Sequence, residues 1–377
     1  MFVPYISGDI VRRVIKFGVL GQFLGFIAFS LNAVATEPIN DFNLKIEKTP
    51  STFNSIKLAD DKAEATLFFN DPYYKKQGFF SLIRAEQAYS VLHAGTQAAK
   101  TKIGIIDQGH ASSENPEIAG QLLVGSDVGS DTNHGQFVLG IMAASSNNGS
   151  GIVGVAGHNS EFLYKSLPML NKKPNASQIA QYIRQFGIQG FDAVNLSFAI
   201  ESDCTTKNPS GGDCFHAIVA SQLIRNAILE TARDYKTVFI VSAGNSGQPL
   251  PAYTTPENGV LVIGAASKNL NLASYTNYGN GVDLYVTEHG IYGLSKKGVS
   301  SPQIGTSFTT PVVTAAVGQV HRYLKNNGIH LSAGELARLV VSTSQFESGL
   351  TKKNSSGKHL DFGQLAKEAQ RLVESRR

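Results

Sequence analysis

The chain has 377 residues, 42% of them hydrophobic, with 33 Lys and Arg against 29 Asp and Glu. That length and apolar content suffice to bury a sizeable core and exclude a disordered or fibrous chain. A formal net charge of +4, with no basic stripe carrying interleaved aromatics, excludes a nucleic-acid binder held by electrostatics.

At the N-terminus, Arg12, Arg13 and Lys16 precede an apolar run over residues 17–31, which ends in Ala33-Val34-Ala35. A basic start, a short apolar stretch and a small-residue end predict an export signal over 1–35, cleaved after Ala35. The alternative is an uncleaved membrane anchor, because residues 17–35 are just long enough to span a bilayer. Gln22 and Asn32 within that stretch favour the signal, and with it a secreted or periplasmic protein. Residues 36–70 read as a polar, weakly patterned N-terminal segment with room for a short pro-segment. Phe68, Phe69, Tyr73 and Tyr74 around Asp71-Pro72 mark the entry to an ordered domain over 71–377.

From there, short Val- and Ile-rich runs bounded by Gly or Asp predict strands at 102–106, 191–198, 238–242 and 260–265. Helical patterns fall between and after them at 136–145, 177–188 with Ser177 as N-cap, 221–235 and 308–326. Two further helices are expected at 332–344 and 363–375. Strands alternating with helices predict a doubly wound α/β fold, its mainly parallel sheet covered by helices on both faces. In such sheets the active residues gather beyond the carboxyl ends of strands.

Cys204 and Cys214 bracket a Thr-, Asn-, Pro- and Gly-rich stretch. In an oxidising compartment this predicts a local disulfide worth about 2–3 kcal/mol through loop entropy. A metal site with His216 is the rival, though the paired C-x-x-C spacing of zinc sites is missing.

Four residues in turns and helix openings stand out: Asp107 at the end of Ile-Gly-Ile-Ile, His134 in Asn-His-Gly, Asn245 in Ser-Ala-Gly-Asn, and Ser307 in Gly-Thr-Ser-Phe-Thr-Thr-Pro. Each has an ordinary reading as a turn or capping residue. Together they supply one chemistry. A serine hydroxyl becomes a nucleophile when an imidazole takes its proton, and a carboxylate fixes the imidazole tautomer and stabilises the imidazolium. An Asn amide and a backbone N–H at a helix start supply donors where the tetrahedral oxygen turns negative.

The strings around these residues resemble the motifs of the subtilisin-like serine peptidases, the subtilases, over roughly residues 70–365. Further matches are Gly-Ile-Val-Gly-Val-Ala at 151–156 and Leu-Ala-Ser-Tyr-Thr-Asn-Tyr-Gly at 272–279. The order Asp, His, Ser and the oxyanion Asn are the family's own pattern. The resemblance implies an exported serine endopeptidase with Ser307 as nucleophile, His134 as base and then acid, Asp107 as its orienter and Asn245 as oxyanion donor. It implies a polypeptide substrate added as a strand along Ser197, Phe198 and Ala199, and no cofactor for the chemistry. A structural calcium ion is implied near Glu117 and the 147–149 loop. The segment before residue 70 is shorter than the family's usual folding propeptide, which leaves a chain that folds unaided or a separate folding helper or inhibitor.

Gln108 replaces the usual Ser or Thr after the aspartate, Ala199 a usual Gly, and Phe308 a Met that commonly follows the nucleophile. Lys172 and Lys173 would favour acidic residues upstream of the cleaved bond if their loop lines the cleft. The alternative reading is a catalytically silent subtilase-like protein whose cleft binds a partner peptide. An esterase is disfavoured by the absence of a Gly-x-Ser-x-Gly elbow.

Overall fold

The computed structural model describes residues 68–93, 99–118, 121–124, 133–167, 175–201 and 215–376. The expected export signal at 1–35, the expected pro-segment up to residue 67, Lys172, Lys173, and the expected Cys204–Cys214 disulfide lie outside these residues.

The strands are β1 (Thr101–Gln108), β2 (Leu122–Val124), β3 (Ser160–Leu167), β4 (Ala193–Leu196), β5 (Ala199–Glu201), β6 (Phe215–Ala217), β7 (Val238–Ser242), β8 (Val260–Ala266), β9 (Leu284–Thr287), β10 (Gly293–Leu294), β11 (Val299–Ser300), β12 (Gln345–Phe346) and β13 (Lys358–His359). The helices are α1 (Phe79–Leu82), α2 (Ala85–Leu92), α3 (His134–Ala143), α4 (Ala176–Ile188), α5 (Gln222–Tyr235), α6 (Thr306–Asn326), α7 (Ala333–Thr343) and α8 (Phe362–Glu374).

Nine strands form one sheet in the order β12-β13-β9-β8-β7-β4-β1-β3-β2. Every neighbouring pair is parallel except β12 and β13. The doubly wound α/β expectation therefore holds, and the central strands are apolar without interruption because both of their faces are covered. Successive side chains of a strand point to opposite faces, and β1 shows what covers each. Thr101 and Ile103 meet Gly318 of α6, whereas the ring of Phe186 in α4 fills the space beside Gly104 on the opposite face.

Chain order reverses direction at β1. β3 and β2 lie on one side of it and β4, β7, β8 and β9 on the other, so a crevice opens at the carboxyl ends of β1 and β4. Register fixes the level of that crevice: Ile106 pairs with Leu196, and Leu196 with Val241. Asp107, Ser197 and Ser242, each one residue further on, therefore stand side by side.

Two expected helix starts shift. α4 begins at Ala176, and Asn175 rather than Ser177 is its N-cap, accepting the Ser177 N–H at 2.8 Å. Both residue types cap well, but the extended conformation falls on Asn175. α6 begins at Thr306, two residues before the expected start, which places Ser307 inside the first helical turn.

An added Cβ at Gly104 would lie 2.6 Å from the Phe186 ring, with rigid strand on one side and packed helix on the other. Gly104→Ala is expected to destabilise the fold by about 1–3 kcal/mol, read as a lowered midpoint in denaturant with an unchanged slope.

Candidate active site

Asp107 is fully buried near the end of β1. Its Oδ1 lies 2.6 Å from Nδ1 of His134 and accepts the Gln108 N–H at 2.6 Å. Its Oδ2 is buried without a hydrogen-bond partner among the described residues. Gln108 supplies its backbone N–H here, while the chain has no hydroxyl at this position.

His134 is the first residue of α3, and Gly135 follows because the Tyr164 hydroxyl occupies the place of any Cβ there. That hydroxyl donates to the Gly109 carbonyl at 3.0 Å, fixing the turn after Asp107. The His134 ring packs 5.4 Å from the ring of Phe308, which in turn stands 4.7 Å from Phe137. Burial by itself would lower the imidazole pKa. The Asp107 carboxylate outweighs it through charge and hydrogen bond, and the net shift is upward from 6.5.

Asn245 follows β7 in a turn where Gly244 has φ 98°, a conformation that favours glycine. Its Oδ1 accepts both the N–H and the hydroxyl of Thr306, each at 2.9 Å. The carbonyl end of the amide is thereby committed to the start of α6, which leaves Nδ2 as its outward donor. A second asparagine holds the same turn: Asn277 donates to the Ala243 carbonyl at 2.9 Å and accepts N–H groups of Ser246 and Gln248 at 3.1 and 3.0 Å. Sequence reasoning did not single out Asn277, although it lies within the 272–279 stretch.

Ser307 is half-buried in the first turn of α6, after Gly305 at φ 146°. Unpaired N–H groups at a helix start, with the macrodipole behind them, favour negative charge there. Pro311 lacks the N–H that would otherwise bond the Ser307 carbonyl, while the Thr310 hydroxyl donates to Thr306 O at 2.7 Å and supports the turn.

A cavity of about 240 Å³ gathers these groups, with His134, Asn245, Ser307, Ser197, Phe198 and Gln108 in its wall. Asp107 stands behind His134. Of the three residues expected to carry substrate, Ser197 and Phe198 border the cavity. The backbone of Ala199 pairs with Ala217 in the antiparallel β5–β6 ribbon.

Near the implied calcium position, Glu117 is buried and accepts from the Asn148 amide at 3.4 Å, while Asp71 accepts the N–H groups of Asn147 and Asn148. Among the described residues no three His, Cys, Asp or Glu side chains gather to hold a metal ion. Of the two acids at this position, Asp71 is committed to backbone donors, and Glu117 accepts from one side-chain amide.

A parallel sheet whose switch-point crevice holds a carboxylate-bound histidine and a serine at a helix start is an architecture of the serine hydrolases. The match to the family described as Peptidase_S8, Subtilase family, spans residues 55–364, and the chain belongs to that family of serine endopeptidases. It is 27% identical over 261 residues to Thermitase of Thermoactinomyces vulgaris, covering 66% of this chain and 84% of that protein. It is also 27% identical over 283 residues to Halolysin of Haloferax mediterranei, covering 70% of this chain and 50% of that one. A solved structure of a protease from Pseudoalteromonas arctica superposes with a TM-score of 0.62 at 18% identity, covering 80% of this chain and 99% of that one, a likeness of fold.

Because its folded pKa is raised, His134 contributes stability that is fully present below pH 6.5 and is lost as pH rises through the folded value. NMR titration of its imidazole in Ser307→Ala protein is expected to show a midpoint above 6.5. Asp107→Asn should bring the midpoint below 6.5, since burial then acts alone.

Proposed function

We propose that the protein is an exported endopeptidase that cleaves polypeptides through an acyl-enzyme on Ser307. His134 takes the hydroxyl proton and returns it to the leaving amine, and Asp107 holds the imidazole tautomer. The Asn245 amide and the N–H groups at the start of α6 receive the oxyanion. The observation that carries this reading is the 2.6 Å Asp107–His134 contact, opening on the same cavity as Ser307 and Asn245. The substrate backbone runs past Ser197 and Phe198, and the export signal at 1–35 places the enzyme in the periplasm or outside the cell. No described helix is long and apolar enough to cross a membrane.

A fluorophosphonate probe on the purified protein is expected to label the wild type and leave Ser307→Ala unlabelled, with casein cleavage lost in parallel. Asn245→Ala should lower kcat by at least about 10²–10³, the size of a lost oxyanion donor in the subtilisins, because the start of α6 loses its partner as well. The unpartnered Oδ2 of Asp107 favours one other reading, a silent peptide binder; a folded wild type that takes no probe yet retains peptides would establish it.

Phe308 brings a phenyl ring to the side of His134, and a ring is not converted to a sulfoxide as a thioether is. Peroxide treatment is therefore expected to leave most of the activity intact, measured as residual casein hydrolysis. A calcium ion held by Glu117 and carbonyl oxygens of the 147–149 loop would stabilise the fold without entering the chemistry. Chelator is expected to lower Tm while kcat at low temperature stays the same, and an unchanged Tm removes the ion from the account.

A further inference from the structure

Outside the cleft, a cavity of about 130 Å³ lies where the end of α2 meets the segment after α3 and the middle of α6. His93, His158 and Gln319 border it, one from each of those elements. The two imidazole rings stand with centroids 5.1 Å apart and planes at 45°. Gln319 is buried, and its amide orientation is determined: Nε2 donates to the Val155 carbonyl at 2.6 Å. Oε1 is therefore turned toward His93, which it contacts, and makes no regular hydrogen bond among the described residues.

A buried amide oxygen without a donor costs about 1–3 kcal/mol, and a bound cation would satisfy it. The ring spacing suits the same occupant. A tetrahedral ion about 2.0–2.1 Å from one nitrogen of each imidazole holds the ring centroids about 5 Å apart. The cavity is also open to solvent at His158, which is exposed and gives an ion a way in.

We propose that His93, His158 and the Gln319 carbonyl oxygen form a site for one divalent transition-metal ion of the Zn²⁺ or Cu²⁺ kind, with water completing the shell. Imidazole and amide-oxygen donors suit these ions, and carboxylates and thiolates are not required. The site ties three segments distant in sequence, so an ion there stabilises the folded chain by linkage. Gln319 lies twelve residues along α6 from Ser307, about 18 Å by helical rise, so the site is separate from the chemistry.

The test is calorimetric titration of Zn²⁺ into chelator-stripped full-length protein carrying Ser307→Ala, which removes self-cleavage. One equivalent should bind and raise Tm. Adding His93→Ala or His158→Ala should each weaken that binding at least about tenfold, and adding His134→Ala should leave it unchanged. Because His158 is exposed, its removal leaves the fold intact and keeps the result readable. With Cu²⁺ as probe, electron paramagnetic resonance should report two imidazole nitrogens, falling to one in His158→Ala. No binding to the parent, undiminished binding after His158→Ala, or loss of binding after His134→Ala would each overturn the assignment.

Discussion

The position of α6 across the central strands is the constraint on which the rest of the molecule depends. Its small and apolar residues are buried along most of its length, and Gly318 admits β1 to within van der Waals contact. Apolar packing is weakly directional, and a slide by one helical turn would move the N-terminus by about 5.4 Å. Three polar contacts at separate heights fix the register. Thr306 is held by Asn245, and the Thr314 hydroxyl donates to Asn195 Oδ1 at 3.0 Å. At the far end, buried Asp192 takes Arg322 and Lys325, while His321 Nδ1 meets its backbone carbonyl at 3.0 Å. Burial, with Lys325 beside it, pushes the His321 pKa down to about 4 and keeps that ring neutral. Such a buried ionic cluster contributes modestly to net stability, and here it specifies one alignment.

That alignment gives the cleft its chemistry at low cost in residues. The carboxyl ends of parallel strands present Asp107 and Ser242 at one level, and two helix starts present His134 and Ser307 across from them. Asn245 has two duties. Its carbonyl end completes the first turn of α6 and its amide end is left to donate. The helix start and the proposed oxyanion donor are therefore one unit, and a substitution that removes the amide also disturbs the segment carrying Ser307. Asn277 stands behind this unit and holds the turn by three hydrogen bonds within and across the chain.

Much of this was legible in the sequence because the signals were local. Val- and Ile-rich runs gave the strands at 238–242 and 260–265, and the short polar strings marked Asp107, His134, Asn245 and Ser307. The misplacements have a physical pattern. The start of α6 lies before Phe308 because Asn245, 61 residues upstream, satisfies the Thr306 N–H that a helix start would otherwise leave open. β3 escaped notice because Ser160, Lys165 and Ser166 interrupt its apolar run, although Ser166 is buried by donating to the Gly109 carbonyl at 2.7 Å. Asn277 and the Asp192 cluster depend on partners far apart in the chain, and no local window contains them. The same holds for His93, His158 and Gln319, which come from three separate parts of the chain.

The ends of the large sheet are closed by strands of three residues at β2 and two at β12. β12 runs antiparallel to its neighbour and is exposed. An unpaired strand edge is a template for any extended chain, and a protein whose cleft accepts extended polypeptides works among many such chains. Edges this short offer too few backbone groups in line to hold one. Among the described strands, backbone pairing with foreign chains is thus refused at the rim, where it would lead to aggregation, and is left to the crevice proposed to carry the substrate.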